Sequence, residues 1–180
     1  MKYRVPLSAE AEKLLTFQSY DPPPGIEGVW LKPLKKHRSE NGWFMEHLRV
    51  TDEAVEGLDS YILRQVSVSE AAPGRINAFH IHPKERQNEL WCVVRGQLLV
   101  WLVDCRAGSS TEGVRRPFVL SGEEPALLYV PAGVAHGYKS GPEGAILLYV
   151  MDQQFNLQNP DEGRLPSDAF GTELWEEDRG

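Results

Sequence analysis

From Val29 onward the apolar positions fall in short runs, VWLKPL, WFMEHLRV, YILRQVSV, INAFHIH, LWCVV, QLLVWLV, PFVL, ALLYV and AILLYVM, each closed by turn-forming residues. That rhythm predicts an all-β domain. No run of ordinary helical length separates successive strands, which excludes parallel βαβ architectures and leaves a sandwich or barrel. Ahead of the strands, residues 8–17 (SAEAEKLLTF) predict a short helix. Ser8 caps it, Glu10 and Glu12 suit the positive end of its dipole, and Leu14, Leu15 and Phe17 form a small apolar stripe. Tyr20 to Gly25 (YDPPPG) can neither continue a helix nor join a sheet and reads as a stiff extended link. After Met151 the apolar residues thin out into an irregular acidic tail, with Phe170, Leu174 and Trp175 as its docking points. The expected organisation is an arm over 1–25, a body over 26–155 and a tail over 156–180 packed on the body.

Chemistry gathers in the stretch from Gly74 to Gly96, GRINAFHIHPKERQNELWCVVRG. His80 and His82 are two apart in a strand-like run, so both imidazoles leave the same face of a sheet. Glu89 opens the next strand, which the turn signal Arg95-Gly96 separates from QLLVWLV. His136 follows the turn of PAGVAH at the mouth of a further strand. Three histidines and one carboxylate are therefore candidates for one site.

Composition narrows the partners. A chain of 180 residues suits one buried core. With 26 acidic against 19 basic residues, the net charge of −7 argues against a nucleic-acid surface, while anionic small molecules stay open. Cys92 and Cys105 lie in or at the end of apolar runs without a CxxC, which predicts reduced, buried thiols. Nowhere do 18 apolar residues run together, and the N-terminus lacks a signal-peptide core, so a cytoplasmic protein with no membrane partner is expected.

These spacings resemble the two motifs of the cupins. Gly74, His80, His82, Glu89 and Gly96 follow the first, with a longer spacer before Glu89, and Pro131, Gly133 and His136 follow the centre of the second. The chain is further similar to the dTDP-4-dehydrorhamnose 3,5-epimerase branch. The resemblance rests on Glu40 to Glu46 (ENGWFME), Val94-Arg95-Gly96, Val103 to Arg106, Gly108 to Gly113, Leu120-Ser121, Pro131 to Tyr138 and Leu148-Tyr149. It implies a cupin double-stranded β-helix (jelly roll) and a homodimer. It also implies a sugar substrate from which His80 removes a proton alpha to a keto group and to which Tyr149 returns one. Gln65, Asn77, Tyr138 and Trp91 take substrate-facing positions on this view. Tyr138 and Tyr149 divide between pocket and packing, while Trp91 and Trp101 also read as core residues.

Four departures bear on mechanism. The family lysine falls on Glu89, two diphosphate-facing arginines fall on Asn41 and Asn77, and the carboxylate that orients the base has no placed equivalent. Weak diphosphate binding is expected, with Arg64 or Arg75 as the residues that could restore it. The set His80, His82, Glu89 and His136 instead resembles the three-histidine, one-carboxylate site of metal-binding cupins, suited to one divalent ion (Fe, Mn, Ni or Zn) with positions left open. Without a metal, one carboxylate among three imidazoles favours a proton on one of them. Three classes therefore stand: a carbohydrate epimerase or isomerase acting on a 4-keto sugar or its nucleotide derivative; a metal-dependent dioxygenase or isomerase; and a non-catalytic small-molecule-binding cupin.

Overall fold

The computed structural model describes residues 4–176; the ends of the expected arm and tail, 1–3 and 177–180, lie outside them. A short helix α1 (Ala9–Leu14) is capped by Ser8, whose Oγ accepts from Ala11 N. It ends before the apolar stripe is complete and buries none of its residues, Leu14 being 83% exposed. One turn and a half cannot stand on propensity alone, and none of its residues is buried against the body.

The strands follow in chain order as β1 (Trp30–Pro33), β2 (Lys36–Ser39), β3 (Gly42–Met45), β4 (Val50–Thr51), β5 (Ala54–Val55) and β6 (Leu58–Ile62). They continue as β7 (Gln65–Ala71), β8 (Ile76–Ile81), β9 (Glu89–Asp104), β10 (Arg115–Ser121), β11 (Ala126–Val130), β12 (Val134–Met151) and β13 (Gly163–Arg164). Two sequence runs break. WFMEHLRV divides between β3 and β4, and YILRQVSV divides between β6 and β7, which belong to different sheets.

Two other runs fuse. The Arg95-Gly96 signal predicts a chain reversal, yet β9 runs straight through it for 16 residues. Gly96 has φ +73°, and a Cβ there would lie 2.0 Å from Gly144 O. Gly141 to Gly144 sits opposite on β12, so the ladder shifts register between Ser140 and Ala145 while both strands continue. Two facing irregularities make a bend where either one alone would make a turn.

That bend lets β9 and β12 serve two layers. Their outer halves (Glu89–Gly96 with Ala145–Met151) lie between β11 and β7, with β1 beyond β11. Their inner halves (Gln97–Asp104 with Val134–Ser140) lie between β10 and β8, with β13 beyond β8. The layers close as a jelly roll around Trp91, Val93, Leu98, Val100, Leu128 and Leu147. Both layers are also covered outside. The sheet β4–β6 packs through Val55 and Tyr61 on Leu90, Cys92 and Val150, and the tail packs Leu174 and Trp175 on Phe79 and Val103. Strands buried on both faces explain why LWCVV reads as continuous apolar rather than alternating.

The tail is more ordered than its composition predicts. Phe79 and Leu165 exchange backbone hydrogen bonds of 3.0 Å, Phe170 meets the Phe79 ring edge-on at 5.0 Å, and a 3-10 turn (Thr172–Trp175) seats Trp175. Leu174 and Trp175 are buried in one cluster with Phe79, and Phe170 packs against it. Both cysteines are free, but only Cys92 is buried; Cys105 is exposed, because β9 has ended at Asp104. Asp104 there accepts from Arg106 N, Nε and Nη2 and from the hydroxyls of Ser109 and Thr111, tying down the following loop. Among the described residues no helix is long and apolar enough to cross a membrane.

Candidate active site

One cavity collects His80, His82, Glu89 and His136 together with Asn77, Trp91, Tyr138 and Tyr149. The pairing explains the convergence. His80 lies directly across from His136 in the β8–β12 ladder, His82 follows on the same face as β8 ends, and Glu89 enters where β9 begins. Gln65 stays out of this cavity. Its amide bonds Ser67 Oγ and Phe155 N, and it lines a neighbouring depression that also borders Tyr149 and Glu162. Asn41 sits at the tip of the β2–β3 hairpin, exposed, and does not line the cavity.

Glu89 is the hub. Its Oε1 accepts from Gln87 Nε2 (2.7 Å) and faces His82 Nε2 at 2.9 Å; its Oε2 accepts from Trp91 Nε1 (2.6 Å) and lies 3.8 Å from His136 Nε2. Burial opposes its ionisation, but His136, His82 and Trp91 outweigh it and hold the carboxyl below its usual range. His82 points both ring nitrogens at acceptors, Nδ1 at Asp161 O and Nε2 at Glu89. Burial opposes charge on this ring too, and the bond to Glu89 overrides it, so the His82 pKa is raised. His136 donates Nδ1–H to Val134 O at 3.1 Å, and burial holds it neutral, its pKa lowered.

The histidines thus divide. Ligand atoms of His82, Glu89 and His136 all lie within 4.8 Å of one another, and His80 is not part of that group. His80 instead places Nε2 3.0 Å from Asn77 Oδ1 and Nδ1 3.5 Å from Glu162 Oε2. The hydrogen bond to His80 lowers the Glu162 pKa against its partial burial. The Tyr149 pKa is raised, chiefly by burial, which keeps its hydroxyl protonated. Trp91 is buried and stands edge-on to His136 at 5.2 Å, a wall of the cavity as well as part of the core.

Sequence reading missed Asp161, Glu162 and Arg164. They lie on one short segment, which Gly163 brings against β8 so closely that a Cβ there would be 2.7 Å from Ile81 O. A glycine among charged residues just before an apolar one was the signal, legible only once β13 is known to pair with β8.

The mouth of the jelly roll gathers His80, Glu162 and Tyr149 in one cavity, groups of the kind that move protons on carbon. The chain belongs to the dTDP-4-dehydrorhamnose 3,5-epimerase family, whose sequence pattern matches residues 24–174. It is 37% identical over 144 residues to the spore coat polysaccharide biosynthesis protein SpsL of Bacillus subtilis, covering 79% of this chain and 91% of that one. Among solved structures it is similar to a dTDP sugar isomerase from Desulfovibrio desulfuricans (TM-score 0.72, 25% identity, 83% of this chain and 92% of that one). It also shares the fold of ChmJ, a 3'-monoepimerase from Streptomyces bikiniensis solved with dTDP-quinovose (TM-score 0.70, 23% identity, 81% and 73% covered).

Proposed function

We propose that this protein epimerises a 4-keto deoxysugar carried on a nucleotide, by proton removal and return alpha to the carbonyl. The observation that carries the reading is His80, held between Asn77 and Glu162 at the edge of a cavity that also contains Tyr149. Nε2 rests 3.0 Å from Asn77 Oδ1; when substrate displaces that contact, Nε2 takes the proton while Nδ1–H stays on Glu162, whose carboxylate steadies the imidazolium as it forms. Tyr149 supplies the proton that re-forms the carbon–hydrogen bond. The His82–Glu89 pair lines the same cavity as His80 and forms its polar wall.

The test is solvent exchange. A dTDP-4-keto-6-deoxysugar incubated with the protein in deuterated buffer gains deuterium alpha to the carbonyl, followed by NMR, and His80→Asn abolishes the gain. Exchange that persists undiminished in that variant overturns the assignment of the base.

A second reading concerns a divalent metal. The Nδ1 atoms of His82 and His136 are both tied to backbone carbonyls, which turns their Nε2 atoms toward Glu89, as a carbonyl on one ring nitrogen orients the other toward a metal. His82, His136 and Glu89 would hold the ion, which would polarise a carbonyl. Metal analysis of protein purified without added metal decides this. A content below about one tenth of an equivalent ends it.

The assembly we propose is a homodimer. Strand β7 pairs with β12 alone and leaves Val66 and Val68 53% and 64% exposed, an apolar edge suited to a second copy. Light scattering that shows a monomer at micromolar concentration refutes it. Two free thiols, one exposed, suit a reducing compartment, and cytoplasmic action is part of the same reading.

A further inference from the structure

Three polar contacts meet at one amide on the wall of the cavity. Asn77 Oδ1 stands 3.0 Å from His80 Nε2 and accepts from Arg164 Nη1 at 3.1 Å, while Asn77 Nδ2 lies 3.5 Å from the Tyr138 hydroxyl. An amide can exchange its oxygen and nitrogen by a half-turn, but the neighbour decides here: a guanidinium only donates, so the atom that meets Arg164 is the oxygen. That oxygen also faces the imidazole. An oxygen cannot donate to a ring lone pair, so His80 Nε2 carries a hydrogen in the free protein. The nitrogen that has to abstract a proton then has no electron pair to offer.

The backbone builds this contact from two directions. His80 pairs with His136 and Asn77 with Tyr138 in the β8–β12 ladder, so three steps of β8 span two of β12. That irregularity brings Asn77 and His80 to one face although they are three apart in sequence. From the other side, Arg164 is the partner of His80 in the β13–β8 ladder. Arg49, Arg95, Arg106 and Arg115 each form an ion pair with a carboxylate, whereas the side chain of Arg164 has Asn77 as its one hydrogen-bond partner among the described residues.

We propose that Arg164 and Asn77 form a latch on the base: Arg164 fixes the amide with its oxygen toward His80, Asn77 thereby closes Nε2 in the free protein, and substrate opens the latch by displacing the amide. This rests on the epimerase reading and adds two positioning residues to it. Opening breaks both bonds of Oδ1. The Nε2 hydrogen passes to water, Nδ1–H stays on Glu162, and the Nε2 lone pair is left facing the reacting carbon. A ligand too small to displace the amide leaves the base closed, which restricts proton abstraction to substrates that fill the cavity as far as Asn77. The bond from a charged donor favours the closed state by about tenfold or more, and the apparent affinity for substrate is reduced by the same factor, because only the open fraction is competent.

Nitrogen-15 NMR of the ligand-free full chain near pH 8, where a free imidazole is neutral, reads the latch directly. The His80 signals are identified by their loss in His80→Asn, and thermal melts verify folding. Nε2 is a hydrogen-bearing nitrogen in wild type and a lone-pair nitrogen in Arg164→Met and Asn77→Ala. Arg164→Lys, which restores a donor, returns it to the hydrogen-bearing form, and the distant Arg95→Gln leaves it as in wild type. Alpha-proton exchange of a dTDP-4-keto-6-deoxysugar gives the kinetic counterpart. Arg164→Met lowers KM by about tenfold with kcat unchanged, since saturating substrate opens the latch in either protein. Asn77→Asp, which has no nitrogen to turn inward, raises KM. A merely structural role would lower kcat instead.

A lone-pair Nε2 in wild type overturns the proposal, as does a hydrogen-bearing Nε2 that persists in both Arg164→Met and Asn77→Ala, or a KM that fails to fall in Arg164→Met. Because the NMR needs no substrate, the two readings fail separately. A latch released by Arg164→Met without exchange in any of the proteins sinks the epimerase alone, and His80-dependent exchange with an Nε2 indifferent to Arg164 sinks the latch alone.

Discussion

Replacing Glu89 by Gln removes one charge where four side chains meet. The wild-type carboxylate is 4% exposed and contacts His82 at 2.9 Å, Gln87 at 2.7 Å and Trp91 at 2.6 Å. A carboxamide has one accepting oxygen. Turned toward Trp91 it keeps that bond and presents its NH2 to Gln87, which can flip, and to His82, which can accept only after losing its Nε2 proton. The change therefore eliminates a charge-assisted pair and forces its partner neutral, a loss of about 2–4 kcal/mol near pH 6. The sign follows from linkage. The raised pKa of His82 contributes stability that is fully present below its ordinary value of about 6.5 and is lost as pH rises through the folded-state value. The lowered pKa of Glu89 contributes stability present above about 4.5 and lost as pH falls through its folded-state value. The penalty is thus largest between about pH 4.5 and 6.5 and shrinks in alkaline buffer. Guanidinium unfolding of both proteins in EDTA, near pH 6 and near pH 10, measures it. A penalty of the same size at both values, or none near pH 6, refutes the argument. Added zinc that stabilises wild type and not the variant favours the metal reading.

Glu162→Gln, which acts through His80, slows alpha-proton exchange by about 10- to 100-fold with little change in KM; an unchanged rate removes Glu162 from the mechanism. Asp104→Asn loses acceptors for Arg106 and two hydroxyls and costs about 2–4 kcal/mol in denaturant unfolding, without weakening substrate binding. The hydrogen bond from Arg106 holds the Asp104 carboxyl far below the usual range, so the wild-type contribution is present above about pH 4 and fades only as acid takes the pH toward the folded-state value. Trp175→Ala uncovers Phe79 and removes the Nε1–H bond to Ser167 O, costing about 3–5 kcal/mol, with faster amide exchange in β8 as the local readout.

The order of apolar and polar residues determined by itself the all-β class, most strands and the convergence of His80, His82, Glu89 and His136, because strand alternation decides which side chains share a face. It also marked Phe170, Leu174 and Trp175 as docking residues, since large apolar groups in an acidic tail have little other use. What it could not determine is how two irregularities act when they meet. Arg95-Gly96 reads as a turn, and only its apposition to Gly141–Gly144 across one ladder makes it a bend within β9 and β12. The division of the histidines was also beyond it, because spacing places three rings near one carboxylate but does not orient them. His82 and His136 face Glu89 since Asp161 and Val134 carbonyls hold their Nδ1 atoms, and His80 turns away since Asn77 and Glu162 hold both of its nitrogens. Asp161, Glu162 and Arg164 are 79 to 87 residues away in sequence from the groups they meet. Hydrogen-bond partners so distant are selected by the packing of the tail on β8, which no local pattern encodes, and tertiary structure alone puts the second carboxylate and the arginine at the site.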